Sequence, residues 1–227
     1  MTDFKTILVA DGVIANPKHW TNFSYTKLIC TDGAALLLQQ IGQLPGVIIG
    51  DFDKLLQSYS SLTLIQLQFP HAELHQHTEQ NSTDFEKSLI YASQKTNFPV
   101  LCLGLFGQAL DHSLHNLSLF AQYAQKAGRL TDWIWLNEEK DSAQWGFLLP
   151  PACALKTQPG QTISFYPFHE AKITTEGLKW ELKGTTLTQK GPHSVRNLTL
   201  KDKVVLRTEG VCFVIVTAPT CPALQLI

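Results

Sequence analysis

The chain has 227 residues, of which 44% are hydrophobic and only 16% charged. A chain this long and apolar buries a sizeable core in one large or two small domains, which excludes intrinsic disorder. The formal net charge of −1 excludes a strong nucleic-acid footprint, so a polyanionic ligand has to be held by local cations or metal ions.

The first two-thirds of the chain alternate strand and helix signals. Thr6–Ala10 is a short apolar run ending in Asp11-Gly12, and Lys27–Cys30 is another ending in Thr31-Asp32-Gly33. Residues 34–41 read as a helix stopping near Gly42. Val47–Ile49 is a short buried strand running into Gly50-Asp51-Phe52-Asp53, where Gly50 permits a sharp turn. Leu62–Phe69 is strand-like and is punctuated by Pro70. His71, His75 and His77 then read as a solvated loop, since zinc would need a further ligand and a defined geometry. Ser82–Lys95 reads as a helix with Thr83-x-x-Glu86 as a capping box. Val100–Leu103 is a strand. Ala109–Ala127 is a long helix whose Leu110, Leu114, Leu117 and Ala121 share one face, and Trp133–Leu136 closes the series.

Strands alternating with helices imply a mostly parallel sheet covered on both faces, a three-layer α/β/α domain. The pattern changes near Trp145. Short β-rich pieces follow at 162–166, 171–175, 178–182, 185–188, 204–207 and 211–217, separated by Gly177, Gly184, Gly191 and Gly210. The expected organisation is therefore an α/β domain over 1–145 and a small all-β, sandwich-like domain over 146–227. Trp133, Trp135 and Trp145 are assigned to the core and the domain junction. Five cysteines, an odd number without C-x-x-C, and a start lacking the basic and apolar segments of a signal peptide lead to the expectation of a cytoplasmic protein. No apolar run approaches the ~20 residues of a membrane span.

Chemistry concentrates in the placement of acids. Asp32 and the pair Asp51/Asp53 follow predicted strands, while Asp84 and Asp111 fall in the first turns of helices. In an open parallel sheet, ligands bind beyond the carboxyl ends of the strands, so these five acids can converge. Two carboxylates flanking one residue can bracket a hard divalent cation such as Mg²⁺. Neither a P-loop nor a G-x-G-x-x-G motif occurs, so nucleotide binding here has to be led by metal and carboxylates.

Taken together these segments resemble the thiamine pyrophosphokinase family. Asp32-Gly33-Ala34 matches its Asp-Gly-Gly/Ala turn, and Gly50-Asp51-Phe52-Asp53-Lys54 matches its Gly-Asp-Phe-Asp-Ser motif. Gln80–Leu89 resembles its Asp-x-Thr-Asp-x-x-Lys-Ala-Leu segment, and Gly107–His112 its Gly-Gly-Arg-x-Asp-His segment. In the β-rich part, Gly177-Leu178-Lys179-Trp180-Glu181-Leu182 matches Gly-Leu-Lys-Tyr/Trp-x-Leu, and Gly191–Asn197 resembles its Ser-Asn loop.

The resemblance implies transfer of pyrophosphate from ATP to the hydroxyl of thiamine, releasing AMP. It implies Asp51, Asp53, Asp84 and Asp111 as catalytic residues, with Asp51, Asp53 and Asp84 holding Mg²⁺. It implies an ATP site of Asp32, Gly33, Asp51, Thr83, Asp84, Lys87, Gln108, Asp111 and His112. Thiamine would meet Trp180, Ser194 and Asn197 in a homodimer with the active site at the interface, and neither nucleic acid nor membrane is implied as a partner. The chain departs from the pattern where Gln108 or Ala109 replaces the arginine, Asn81 the first aspartate and Lys54 the serine. Lys54, Lys87 and Arg196 are the candidates for the missing cation. Two other readings are a thiamine- or nucleotide-binding protein with weak or lost catalysis, and a D-x-D nucleotide-sugar glycosyltransferase.

Overall fold

The computed structural model describes residues 3–95, 98–107, 109–140 and 142–227. Its contacts divide the chain into two compact units that meet between Ala127 and Gly128.

The first unit holds strands β1 (Thr6–Val9), β2 (Lys27–Thr31), β3 (Val47–Gly50), β4 (Glu73–Gln76) and β5 (Val100–Leu103). All pair in parallel, in the order β5-β1-β2-β3-β4. β1, β3 and β5 are buried along their whole length, as strands covered on both faces must be. Helices α1 (Asp32–Gln40), α2 (Asp53–Tyr59) and α3 (Leu62–Gln68) lie between β2 and β4. α4 (Asp84–Lys95) crosses back over β3, β2 and β1, and α5 (Leu110–Lys126) packs against it. Right-handed crossovers running in opposite directions place these two groups of helices on opposite faces of the sheet. The order reverses between β1 and β5, which makes that edge the switch point where a crevice opens.

Three local expectations are corrected. Leu62–Phe69 is not a strand: α3 occupies it, started by the Ser61 hydroxyl, which accepts from Leu64 N at 3.3 Å. Only Ile65 of α3 is buried, so the apolar alternation reflects exposed leucines rather than a pleat. The histidine segment is not a free loop, because Glu73–Gln76 forms the edge strand β4 with His75 in it. The face read on α5 is mostly the wrong one. Leu110 and Leu114 are exposed, while Asn116, Leu119, Phe120, Ala121 and Ala124 are buried.

The second unit contains no helix among its described residues. β6 (Trp133–Glu139) and β7 (Ser142–Leu148) form an antiparallel pair, and β7 pairs with β12 (Lys203–Thr217). This pairing is why the two compact units divide earlier than the change of composition near Trp145. The pieces read at 162–166 and 171–175 are one strand, β9 (Thr162–Glu176), and those at 204–207 and 211–217 are both within β12. β9 and β12 pair along their length with a bulge between Gly210 and Cys212. β12 meets β8 (Ala152–Lys156) with its first half and β7 with its second, and β8 also pairs with β13 (Leu224–Leu226). β9 meets β10 (Lys183–Thr188) and β11 (Ser194–Leu198) in the same divided manner. Two long shared strands thus generate the sandwich-like arrangement. Residues 178–182 are not a strand; they form a loop that carries an isolated β-bridge between Leu178 and Thr199.

Candidate active site

A cavity of about 550 Å³ opens at the carboxyl edge of the parallel sheet. Its walls come from the segments after β1 (Ala10, Asp11, Gly12), β3 (Asp51, Lys54) and β5 (Leu105, Phe106), from the end of β2 and the residue that follows it (Thr31, Asp32), and from residues 80–87 and the start of α5. Every one of those residues belongs to the first unit.

Three carboxylates meet there. One oxygen each from Asp32, Asp51 and Asp84 lie within 4.8 Å of one another. Asp32 opens α1 and is buried. Its Oδ1 accepts from Gly33 N at 2.6 Å and its Oδ2 from Lys54 N at 3.3 Å. Asp84 opens α4. Asp51 is steadied by Gln80, whose Nε2 donates to Oδ2 at 3.4 Å, while Gln76 Nε2 donates to the Asp51 carbonyl at 3.1 Å. Gly50 matters here for room rather than for a turn. A Cβ on it would stand 3.1 Å from the Asp84 carboxyl and 3.2 Å from Asp32 Cβ. The left-handed residue is Phe52, with φ 71° and a buried ring.

The cluster is electrostatically uncomfortable without a cation. Burial, and then the neighbouring charge of Asp84, push the Asp32 carboxyl up to about 6 against the Gly33 and Lys54 N–H bonds. Burial also raises Asp84, opposed by its bond and charge contact with Lys87. Three convergent hard oxygens suit a small divalent cation, so the residues present fit Mg²⁺.

Other expected residues fall into two groups. Thr83 lines the cavity, and its Oγ1 accepts from Glu86 N at 3.2 Å as the capping box requires. The Glu86 carboxylate meets the Tyr123 hydroxyl. His112 also lines the cavity. Gly33 sits against the Asp11 carboxyl, with no space for a side chain. Lys87 is buried, and its ammonium donates to His77 O, Glu79 O and Asp84 Oδ1 at 3.0, 3.1 and 3.1 Å. Outside the lining are Asp53, exposed at the start of α2 with its N–H donating to Asp51 Oδ1, and Asp111, exposed with Oδ1 on His112 N. Gln108 lies outside the described residues.

Sequence reasoning missed Asp11 as a site residue. It faces the cavity in an ion pair with Lys54. The signal was present, since Asp11 follows β1 as Asp32 follows β2. The four buried thiols, Cys30, Cys102, Cys153 and Cys212, are all pushed upward by burial and are poor nucleophiles.

In the second unit, the loop holding Trp180 is built by two side chains. The Glu181 carboxylate accepts from Thr175 Oγ1, Gly177 N and Leu178 N at 2.6, 2.6 and 3.0 Å. Asn197 is buried and bonds both the N–H and the carbonyl of Trp180. The indole itself is 55% exposed, with Lys179 Nζ 4.8 Å from the ring centroid. Ser194 is buried in β11.

A parallel α/β unit with a carboxylate-walled cavity at its switch point, followed by an antiparallel β unit, has the features of an enzyme whose site is built around convergent carboxylates. Comparison with known proteins narrows this. The thiamin pyrophosphokinase catalytic domain matches residues 17–131, and the thiamin pyrophosphokinase vitamin B1 binding domain matches residues 153–211. The chain belongs to the thiamine pyrophosphokinase family.

Thiamine pyrophosphokinase 1 of Arabidopsis thaliana is 26% identical over 182 residues, a match spanning 73% of this chain and 62% of the plant protein. The fold is shared with solved thiamin pyrophosphokinases. That of Bacillus subtilis has a TM-score of 0.75 at 22% identity, covering 94% of this chain and 99% of that one. That of Candida albicans has a TM-score of 0.75 at 13% identity, covering 94% and 89%. Among the described residues no helix is long and apolar enough to cross a membrane.

Proposed function

We propose that the chain transfers pyrophosphate from ATP to thiamine. The thiamine hydroxyl oxygen bonds to the β-phosphorus, the bond from that phosphorus to the α–β bridging oxygen breaks, and AMP leaves as the hydroxyl gives up its proton. The observation that carries this reading is the meeting of Asp32, Asp51 and Asp84 at the cavity wall in a chain of this family.

In this reading Asp32, Asp51 and Asp84 hold Mg²⁺, which when bound offsets phosphate charge during the transfer. Asp32 thereby takes the place that the motif alone assigned to Asp53. Asp53 and Asp111, exposed beside lining residues, act on the bound nucleotide from the mouth rather than from its seat. The cavity walls exclude water and orient the triphosphate, which is the main work such a transfer asks of a protein. His112 and Thr83 contact the nucleotide, and Gly33 leaves the room that the Asp11 carboxyl occupies beside the cavity.

Trp180 offers a flat face for the aminopyrimidine of thiamine, on the loop that Asn197 holds. Exposed Trp180, Val195 and Leu200 on the β unit support a homodimer in which thiamine binds at the interface. The five free cysteines support a reducing, cytoplasmic setting.

The test is incubation of the purified chain with ATP, Mg²⁺ and thiamine, followed by chromatography of the products. AMP and thiamine diphosphate are expected in equal amounts. Thiamine binding without AMP would overturn the transfer and leave a binding protein; sedimentation of the same sample reads the dimer.

A further inference from the structure

We propose that Lys54 is the side chain that binds the phosphate chain of the nucleotide, and that it leaves Asp11 to do so. The proposal deepens the function above and rests on that reading. The cavity is lined by five carboxylates, those of Asp11, Asp32, Asp51, Asp84 and Glu86. A triphosphate entering it is repelled unless cations intervene.

Among the described lining residues, only Lys54 and Lys87 carry a permanent positive charge; His112 and His115 are imidazoles. Lys87 is fully committed. An ammonium has three N–H donors, and here they serve His77 O, Glu79 O and Asp84 Oδ1. Its side chain is only 6% exposed, so turning it toward a ligand would abandon buried acceptors.

Lys54 differs on each point. It stands in the first turn of α2, its side chain is 51% exposed, and its ammonium is ion-paired with Asp11. An exposed ion pair is weak, so exchanging a carboxylate for phosphate oxygens costs little. Its backbone N–H, bonded to Asp32 Oδ2, fixes the residue beside the carboxylate cluster while the side chain spans to the segment after β1. Arg196, the third candidate, belongs to the other unit and pairs with Glu139 there at 3.2 Å.

The test is calorimetric titration of the full chain with α,β-methylene-ATP and Mg²⁺, with melting temperature as the control on folding. Lys54→Ala is expected to weaken binding about tenfold at an unchanged melting temperature, because a charge-assisted contact is lost. Lys54→Arg should keep most of the affinity. Asp11→Asn should bind at least as tightly as the wild type, since the lysine is no longer held back. Lys54→Ala binding like the wild type overturns the assignment and leaves the proposed function standing if AMP still forms. A fall in affinity that tracks a fall in melting temperature in both Lys54 variants overturns it as well. Weaker binding by Asp11→Asn overturns the release from Asp11. A wild-type chain that neither binds the analogue nor makes AMP overturns both readings.

Discussion

The side-chain amide of Asn197 grips the backbone of Trp180 at both ends: Oδ1 accepts from Trp180 N at 3.2 Å and Nδ2 donates to Trp180 O at 2.7 Å. Asn197 Oδ1 also accepts from Leu198 N at 2.8 Å. One buried side chain therefore presents an indole to solvent on a rigid loop. Asn197→Ala is expected to cost about 1–3 kcal/mol, because the backbone groups of Trp180 lose their partners. A lowered urea midpoint together with weaker thiamine binding would check it.

Trp180→Ala should separate affinity from stability. The ring is exposed, so its loss should leave the melting temperature within about 2 °C of the wild type. The KM for thiamine is expected to rise while that for ATP stays constant. The other four tryptophans are buried, so acrylamide quenching of fluorescence reads Trp180 selectively, and thiamine should protect it.

The acidic cluster should trade stability for function. Asp32 is held at about 6 in the folded chain against an ordinary 3.8, so the folded state binds its proton more tightly than the unfolded state does. Its stabilising contribution is fully present below about pH 4 and is lost as pH rises through 6. Asp32→Asn should flatten that slope in urea titrations between pH 4 and 7. It should stabilise the metal-free chain at pH 7.5 by about 1–2 kcal/mol after solvent screening, while abolishing turnover. Adding Mg²⁺ should raise the melting temperature of the wild type more than that of Asp32→Asn.

Lys87→Met probes the clamp behind Asp84. It removes the cation and leaves His77 O and Glu79 O short of a donor. A loss of about 2–3 kcal/mol in urea unfolding is expected, with turnover reduced through misplacement of Asp84. Lys87→Arg should not rescue it, since a planar guanidinium does not fit three acceptors arranged around one ammonium.

Much of the α/β unit was legible, because short apolar runs ending in Asp-Gly have few alternatives to buried parallel strands. The places that failed have local causes. Leu62–Phe69 carries strand-like alternation, yet the Ser61 cap sets a helix whose leucines face solvent. On α5 the more regular leucine spacing belonged to the exposed face, and the smaller Ala121 and Ala124 pack inside with Phe120. β9 and β12 were read as fragments because turn-forming residues interrupt them, although bulges let a strand continue past such points.

Residue types and their order determined the family, the strand-then-acid rule and the two-part organisation, because these depend on local pattern and spacing. Only tertiary structure decided which acids meet. Asp32 reaches Asp51 and Asp84 through the pairing of β2 with β3 and the return of α4, while Asp53, two residues from Asp51, is exposed and outside the cluster. Tertiary structure also separated the two lysines, since whether an ammonium is spent or available depends on the carbonyls the fold brings within hydrogen-bond distance of it.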